Sequence, residues 1–167
     1  IASRPGMGKT SLCLTIAQHV AIKQKIPVAI FSLEMAAEQI ILRMLCSEAR
    51  VDLHRLRSGR LFEPDWPKLT MAASSLSEAP IYIDDSSTIS ALEVKAKSRR
   101  LKADSKVGLI VVDYMQMMEG ARGSENRQQE ISQISRGLKG LAKEMEVPVI
   151  VASQLSRAPE RQERSER

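Results

Sequence analysis

Aromatic side chains, cysteines and long apolar runs are all scarce in this chain. Phe, Trp and Tyr together make up 3% of its 167 residues, which disfavours a nucleic-acid site built on base stacking. The two cysteines, Cys13 and Cys46, lie in apolar helical patterns away from any Cys/His cluster, so we expect buried free thiols rather than disulfides or structural zinc. Runs such as Leu109 to Val112 fall far short of the roughly 20 apolar residues that cross a bilayer. We therefore expect a soluble, cytoplasmic protein with no membrane association.

Charge of one sign is only slightly in excess. The formal net charge is +5, and its distribution decides what it means. Residues 1–60 carry +5, residues 61–118 carry −1 and residues 119–167 carry +1. No long run of Lys and Arg marks a polyanion-binding tail. The excess is thus local to the N-terminal third, where a phosphate-binding motif also lies.

Short β-branched runs alternate with longer helical patterns, which is typical of repeated βαβ units and a parallel sheet. The predicted strands are nearly all apolar, as in strands covered by helices on both faces. Ser90 followed by Glu93 predicts a capping box at one helix start. The predicted strands are 27–32, 81–84, 107–113 and 147–153, and the predicted helices are 9–24, 36–49, 64–77, 90–103 and 126–146.

The two ends of the sequence suggest a piece of a larger domain. A phosphate loop opens the chain, although such a loop needs a complete strand before it. Residues 157–167 alternate in charge without apolar periodicity, which is typical of a mobile surface segment. We therefore expect residues 1–167 to be one α/β ATPase domain truncated at both ends, with 157–167 as a mobile loop.

The phosphate loop carries the strongest signal in the sequence. Residues 3–10 match the pattern G-x-x-x-x-G-K-[ST] except at the first position, where Ser3 replaces Gly. Gly8 allows a tight turn that points backbone N–H groups at phosphate oxygens, and the following helix adds its positive dipole end. Lys9 is expected to reach the β- and γ-phosphates of ATP, and the Thr10 hydroxyl to ligate Mg²⁺. The predicted nucleotide-binding residues of the loop are Arg4, Pro5, Gly6, Met7, Gly8, Lys9, Thr10 and Ser11.

Polar side chains end three of the predicted strands. Asp113 closes an apolar strand in the form of a Walker B motif and is expected to help hold Mg²⁺. Glu34 is either the base that activates water or an acidic residue favoured by the next helix dipole. Gln154 is either a sensor of the γ-phosphate or a polar strand end that meets solvent. The spacing alone leaves both pairs of alternatives open.

Four segments together resemble the ordered motifs of the bacterial DnaB replicative helicases, among the RecA-like ATPases. They are residues 4–10, residues 31–35 (Phe-Ser-Leu-Glu-Met), residues 113–116 (Asp-Tyr-Met-Gln) and residues 153–157 (Ser-Gln-Leu-Ser-Arg). The resemblance implies a RecA-like P-loop fold, with a mostly parallel sheet between two helix layers. It also implies a ring of six subunits that hydrolyses ATP at its interfaces and moves along single-stranded DNA during replication, at the replication fork.

The resemblance assigns roles to further residues and implies partners. Glu34 becomes the catalytic carboxylate, Gln154 the γ-phosphate sensor and Arg43 a contact on the phosphate side. Arg122 and Arg127 lie where the family's first central-channel loop is expected, so they either touch DNA phosphates or are ordinary loop charges. Primase and a helicase loader are the protein partners that the family implies.

Two other function classes compete with a helicase. A P-loop regulatory module, such as a helicase loader, a repair-associated RecA relative or a circadian-type ATPase, would use nucleotide as an assembly switch. The segments at Asp113 to Gln116 and at Ser153 to Leu155 favour the helicase. A small-molecule kinase is disfavoured because no mobile Arg-rich lid pattern is present, although Arg99 and Arg100 could be argued to form one.

Several other residues have simple structural interpretations. Asp84 and Asp85 are expected to form a turn rather than a metal pair. Trp66 is expected to pin a helix start to the core. Met115, Met117 and Met118 are expected to pack near a strand end.

Overall fold

The computed structural model describes residues 1–119 and 127–155, so the expectations for Arg122 and for 157–167 lie outside the described residues. Strands and helices follow the predicted order, with an additional helix at Leu53–Arg57 and with the predicted strand 147–153 divided into Val149–Val151 and Ser153–Gln154. The strands are β1 (Ala2–Ser3), β2 (Val28–Ser32), β3 (Ile81–Asp84), β4 (Leu109–Asp113), β5 (Val149–Val151) and β6 (Ser153–Gln154). The helices are α1 (Lys9–Lys23), α2 (Ala37–Ala49), α3 (Leu53–Arg57), α4 (Asp65–Ser77), α5 (Ala91–Ser105) and α6 (Arg127–Met145), with a 3₁₀ turn at Met115–Met117.

The strands are parallel throughout. Four of them form a sheet in the order β3-β2-β4-β5, and β6 pairs with β1. Only Ala152 separates β5 from β6, and its N–H donates to the Val112 carbonyl at 2.9 Å. The segment that contains β5 and β6 therefore lies between β1, which leads into the phosphate loop, and β4, which ends in Asp113.

Alternate residues of the central strands face two separate cores. Val28 and Ile30 of β2 pack with α1 and α2, whereas Ala29 and Phe31 pack with α5 and α6. Strand β4 follows the same alternation. Both strands are buried at every position, which explains why all of their residues except the last, Ser32 and Asp113, are apolar. The predicted α/β fold with helices on both faces of a parallel sheet is confirmed.

The flanking helices largely follow their sequence signals. Helix α6 buries Ile134, Leu138, Leu141 and Met145 against the sheet. At the start of α5 the capping box is present: the Ser90 N–H donates to Glu93 Oε2 at 2.8 Å, and the Glu93 N–H donates to Ser90 Oγ at 3.2 Å. Cys13 and Cys46 are buried free thiols, as predicted.

The region around α3 and α4 corrects two expectations. Helix α3 was missed because none of its five residues is buried, so it has no apolar period. Trp66 was wrongly expected to pin the start of α4, since it is 57% exposed. Asp65 anchors that helix instead: its buried carboxylate pairs with Arg55 and accepts the Phe62 N–H at 3.0 Å. Leu69 supplies the apolar contact that Trp66 does not.

The three methionines after β4 divide between core and surface. Met118 is buried and Met115 packs against the same core, as expected, but Met117 is 40% exposed.

Within the described ranges, no helix combines the length and the apolar content needed to cross a bilayer.

Candidate nucleotide-binding site

The phosphate loop owes its shape to two glycines with left-handed backbones. Gly6 has φ 76° and Gly8 has φ 83°, and neither would meet another atom if it gained a Cβ. Glycine is therefore required by backbone rotation, which is costly for other residues, and not by lack of space. Gly8 directly precedes α1, whose first turn contains no acidic residue. The free N–H groups of that turn and its positive dipole end are thus available to an anion.

Thr10 and Asp113 join the phosphate loop to the end of β4. The Thr10 hydroxyl donates to Asp113 Oδ2 at 2.6 Å. Asp113 is only 4% exposed, and its Oδ1 has no hydrogen-bond partner within the described part of the chain. A buried carboxylate oxygen beside a hydroxyl is the hard oxygen donor set that Mg²⁺ prefers. These two residues therefore fit the protein side of a magnesium site.

Lys9 lies at the mouth of the loop with few competing contacts. Its ammonium donates a long hydrogen bond of 3.5 Å to the Ser3 carbonyl and lies 5.7 Å from the centre of the Tyr114 ring. Both contacts are weak at these distances. The Lys9 charge is therefore held near the loop and remains available to a phosphate.

Glu34 lies on a short turn that is tied to β4. The Leu33 N–H donates to the Asp113 carbonyl at 2.8 Å. The Ser32 hydroxyl donates to the Met35 carbonyl at 2.8 Å and accepts the Met35 N–H at 3.2 Å. The exposed Glu34 side chain is thus presented from a turn whose backbone is fixed on both sides.

Helix α2 follows this turn and carries Arg43. Its first N–H, that of Ala37, is capped by Asp85 Oδ2 at 2.9 Å, and its first turn contains Glu38. The dipole of α2 is therefore complemented by Asp85 and Glu38. Arg43 is partly buried, and its Nε has no partner within the described part of the chain.

One cavity of about 300 Å³ brings most of the predicted site residues together. Asp113 lies outside the cavity lining and is connected to it through Thr10. Met7 was predicted in the site but is 73% exposed and does not line the cavity. The lining residues are Arg4, Pro5, Gly6, Gly8, Lys9, Thr10, Ser11, Glu34, Met35, Arg43 and Gln154.

A larger cavity of about 610 Å³ lies between β3 and α5. None of the phosphate-loop residues lines it, so the smaller cavity is the one that fits a triphosphate.

Asp84, at the edge of the larger cavity, accepts hydrogen bonds from Ser86 and pairs with Lys97. Burial raises the pKa of the Asp84 carboxyl, but the hydrogen bonds from Lys97 and Ser86 outweigh it and hold that pKa below its ordinary value. Residues 1–119 and 127–155 contain no cluster of three or more His, Cys, Asp or Glu that fits a metal ion.

Arg127 and Gln116 lie beside the cavity rather than in it. Arg127 donates to the Gln116 carbonyl and pairs with Glu130. The Gln116 side chain is bonded to Ser153 and Gln154. The sequence alone assigns no individual role to Gln116, although the segment from Asp113 to Gln116 favours the helicase family.

Comparison with known proteins places this geometry in a family. The family model described as "DnaB-like helicase C terminal domain" matches residues 1–167. The chain belongs to that family. The family is one of ATPases, so nucleotide binding is expected.

Relatives with curated names are similar over nearly the whole chain. The "Replicative DNA helicase DnaB" of Geobacillus stearothermophilus is 55% identical over 98% of this chain and 36% of its own length. The "Replicative DNA helicase DnaC" of Bacillus subtilis (strain 168) is 54% identical with the same coverage. The chain thus spans about a third of the length of these relatives.

Solved structures agree with the sequence comparison. One structure, whose title describes it as an ATPase domain, has a TM-score of 0.88 and 34% identity, and the match covers 96% of this chain and 57% of that one. A second, titled "The Structure Of A DnaB-Like Replicative Helicase And Its Interactions With Primase", has a TM-score of 0.89 at the same identity and covers 96% of this chain and 39% of that one. The RecA-like ATPase fold is confirmed.

Proposed function

We propose that this domain is the motor of a replicative DNA helicase, in which ATP hydrolysis drives movement along single-stranded DNA and unwinding of the duplex. The observation that carries the proposal is one cavity, which is lined by Lys9, Thr10, Glu34 and Gln154. Asp113 accepts a hydrogen bond from Thr10 beside this cavity. A phosphate loop and an exposed carboxylate on one cavity, with a buried carboxylate hydrogen-bonded to the loop beside it, are the parts that phosphoryl transfer to water requires. Membership of the DnaB-like helicase family supports the proposal.

In this proposal each residue has one task. Lys9 and the N–H groups of α1 bind the β- and γ-phosphates and stabilise the negative charge that develops on them. Thr10 and Asp113 hold Mg²⁺, which when bound neutralises charge on the phosphate oxygens. Glu34 accepts a proton from the attacking water and orients it.

Two further residues contact the γ-phosphate side of the nucleotide. Gln154 donates a hydrogen bond from its amide to the γ-phosphate, so its position differs before and after hydrolysis. Arg43 supplies a positive charge from α2, and its partnerless Nε within the described residues supports this role.

The proposed partners follow from the family and from charge. Single-stranded DNA is proposed to run through the centre of a homohexameric ring and to meet Arg122 and Arg127 through its phosphates. Contacts to phosphates suit a chain with 3% aromatic residues, which offers few rings on which bases could stack. Primase and a helicase loader are proposed as protein partners, and the replication fork as the place of action.

The direct test is nucleotide hydrolysis by the full-length protein with and without single-stranded DNA. We expect DNA to stimulate hydrolysis, and Lys9→Ala to reduce kcat by about 10²–10³-fold, as for loss of one strong electrostatic contact in other enzymes. Lys143→Ala, at an exposed position near the end of α6, is the matched control and should keep wild-type activity. Hydrolysis that DNA does not stimulate, or that survives Lys9→Ala, contradicts the proposal.

A further inference from the structure

The side-chain amide of Gln116 makes hydrogen bonds to the backbone of β6 that a neighbouring strand would otherwise make. Its Nε2 donates to the Gln154 carbonyl at 3.0 Å, and its Oε1 accepts the Gln154 N–H at 3.1 Å. Nε2 also donates to Ser153 Oγ at 2.9 Å. Both backbone polar groups of Gln154 are thereby satisfied by one amide, which has the donor and acceptor that this requires.

This arrangement occurs on the side of β6 that has no neighbouring strand. On one side β6 pairs with β1, through the Ser153 N–H to the Ile1 carbonyl and the Leu155 N–H to the Ser3 carbonyl. On the other side its neighbour β4 has already ended at Asp113. Gln116 therefore completes the hydrogen bonds of β6 at Gln154, a residue that lines the cavity of the phosphate loop.

The same residue is tied at its backbone to α6. The Gln116 carbonyl accepts a hydrogen bond from Arg127, the first residue of α6. Arg127 also pairs with Glu130 one turn further along that helix. A continuous path of polar contacts thus runs from Gln154 through Gln116 to the first turn of α6.

We propose that Gln116 is a positioning residue that couples the nucleotide cavity to the start of α6. A shift of Gln154 when the γ-phosphate leaves changes the hydrogen bonds of the Gln116 amide, and the Gln116 backbone transmits that change to Arg127. By thermodynamic reciprocity, an anion bound near Arg127 changes the affinity at Gln154 by the same factor. The γ-phosphate contact of Gln154 and the DNA end of this coupling rest on the proposed function, whereas the hydrogen-bond path from Gln154 to α6 is present in the structure.

The substitution Gln116→Glu tests the path with little change of shape. A carboxylate still accepts the Gln154 N–H, but it cannot donate to the Gln154 carbonyl or to Ser153 Oγ. Met117→Ala is the matched control, because Met117 belongs to the same 3₁₀ turn and is 40% exposed. Should Gln116→Glu fail to fold, Gln116→Asn keeps the amide but shortens its reach by one methylene and serves the same purpose.

Hydrogen exchange in the full-length protein gives a readout that is independent of DNA. In wild type and Met117→Ala, a non-hydrolysable ATP analogue should slow amide exchange at residues 131–134, whose helical N–H groups donate to the carbonyls of the first turn of α6. In Gln116→Glu the analogue should still bind, and that slowing should be lost. Equal slowing in Gln116→Glu and wild type, or none in a wild type that has bound the analogue, overturns the coupling, whereas a wild type that does not bind the analogue contradicts the proposed nucleotide site.

Hydrolysis stimulated by single-stranded DNA gives the second readout. We expect the stimulation factor to fall about fivefold or more in Gln116→Glu, within the range of coupling between linked sites, and to stay unchanged in Met117→Ala. A wild type that DNA does not stimulate contradicts the proposed function, while the exchange experiment still decides the path to α6. A stimulated wild type with an equally stimulated Gln116→Glu contradicts the coupling alone.

Discussion

The Thr10 hydroxyl donates a hydrogen bond of 2.6 Å to the buried Asp113 carboxylate across 103 positions of sequence. This single contact connects the first turn of α1 to the end of β4, although β5 and β6 lie between β1 and β4 in the sheet. It also leaves Asp113 Oδ1 without a partner within the described residues. The carboxylate is thus half satisfied by the protein, and a cation beside Thr10 can complete its coordination.

Replacing Thr10 tests this contact directly. Thr10→Val removes the hydroxyl and leaves both Asp113 oxygens unpaired, so we expect a loss of about 1–3 kcal/mol in the free energy of unfolding. Hydrolysis should lose its response to Mg²⁺ as well. Thr10→Ser keeps the hydroxyl and should stay close to wild type in both properties. Urea unfolding and a magnesium titration of hydrolysis measure these effects, and a Thr10→Val variant as stable as Thr10→Ser would contradict the contact.

Glu34 and Glu38 form a natural pair for testing the catalytic carboxylate. Both are exposed and lie four positions apart, but only Glu34 lines the cavity. We expect Glu34→Gln to bind ATP normally and to lower kcat by about 10²–10⁴-fold, because the general base is lost. Glu38→Gln should affect only the α2 dipole, at about 0.3–1 kcal/mol. Steady-state kinetics and nucleotide titration separate the two, and near-normal kcat in Glu34→Gln would assign the base to another group.

Two glycines should respond in opposite directions to the same substitution. Gly8→Ala forces a Cβ into a left-handed conformation, which costs about 1–2 kcal/mol, and should also distort the phosphate loop. Gly140→Ala, within α6 where no atom lies within 4 Å of the new Cβ, should stabilise the protein by about 0.5–1 kcal/mol. Thermal unfolding measures both. If Gly8→Ala were as stable as Gly140→Ala, the loop could not have the backbone described above.

Asp84 predicts a stability contribution that disappears in acid. Because the folded state holds the pKa of its carboxyl below the ordinary value, Asp84 stabilises the fold above the unfolded-state pKa of about 3.9. That contribution is lost as the pH falls through the lower folded-state pKa. The partly exposed pair with Lys97 limits it to about 1 kcal/mol or less. Urea unfolding of wild type and Asp84→Asn should show a constant difference above about pH 5, which shrinks toward pH 3. A difference that grows on acidification would reverse this assignment.

Much of the fold could be predicted because local and global preferences agree. Strands β2 and β4 are apolar at nearly every position, since both of their faces are covered. The phosphate loop could be predicted from Gly8, Lys9 and Thr10, because it requires a left-handed backbone at the glycine, a positive charge at the lysine and a hydroxyl at the threonine. The remaining site residues at the strand ends could be guessed because parallel strands bring their carboxyl ends to one edge.

The residues that were missed depend on contacts between distant segments. Trp66 was expected to pack into the core at the start of α4, but the neighbouring Asp65 is the buried residue there. Asp65 is buried because it forms an ion pair with Arg55, which no local pattern reveals. Gln116 acquires its importance only where β4 stops before β6. No periodicity within one segment reveals that a side chain will complete another strand's hydrogen bonds.

The alternation of β2 and β4 between two cores has a consequence for how the domain tolerates change. Residues such as Ile30 and Val111 belong to one compartment, and Phe31 and Val112 to the other, with the sheet as the wall between them. Substitutions that share no partners usually add independently. Substitutions in the core under α5 and α6, at positions away from the strand ends, should therefore add to the effects of substitutions in the core under α1 without altering them.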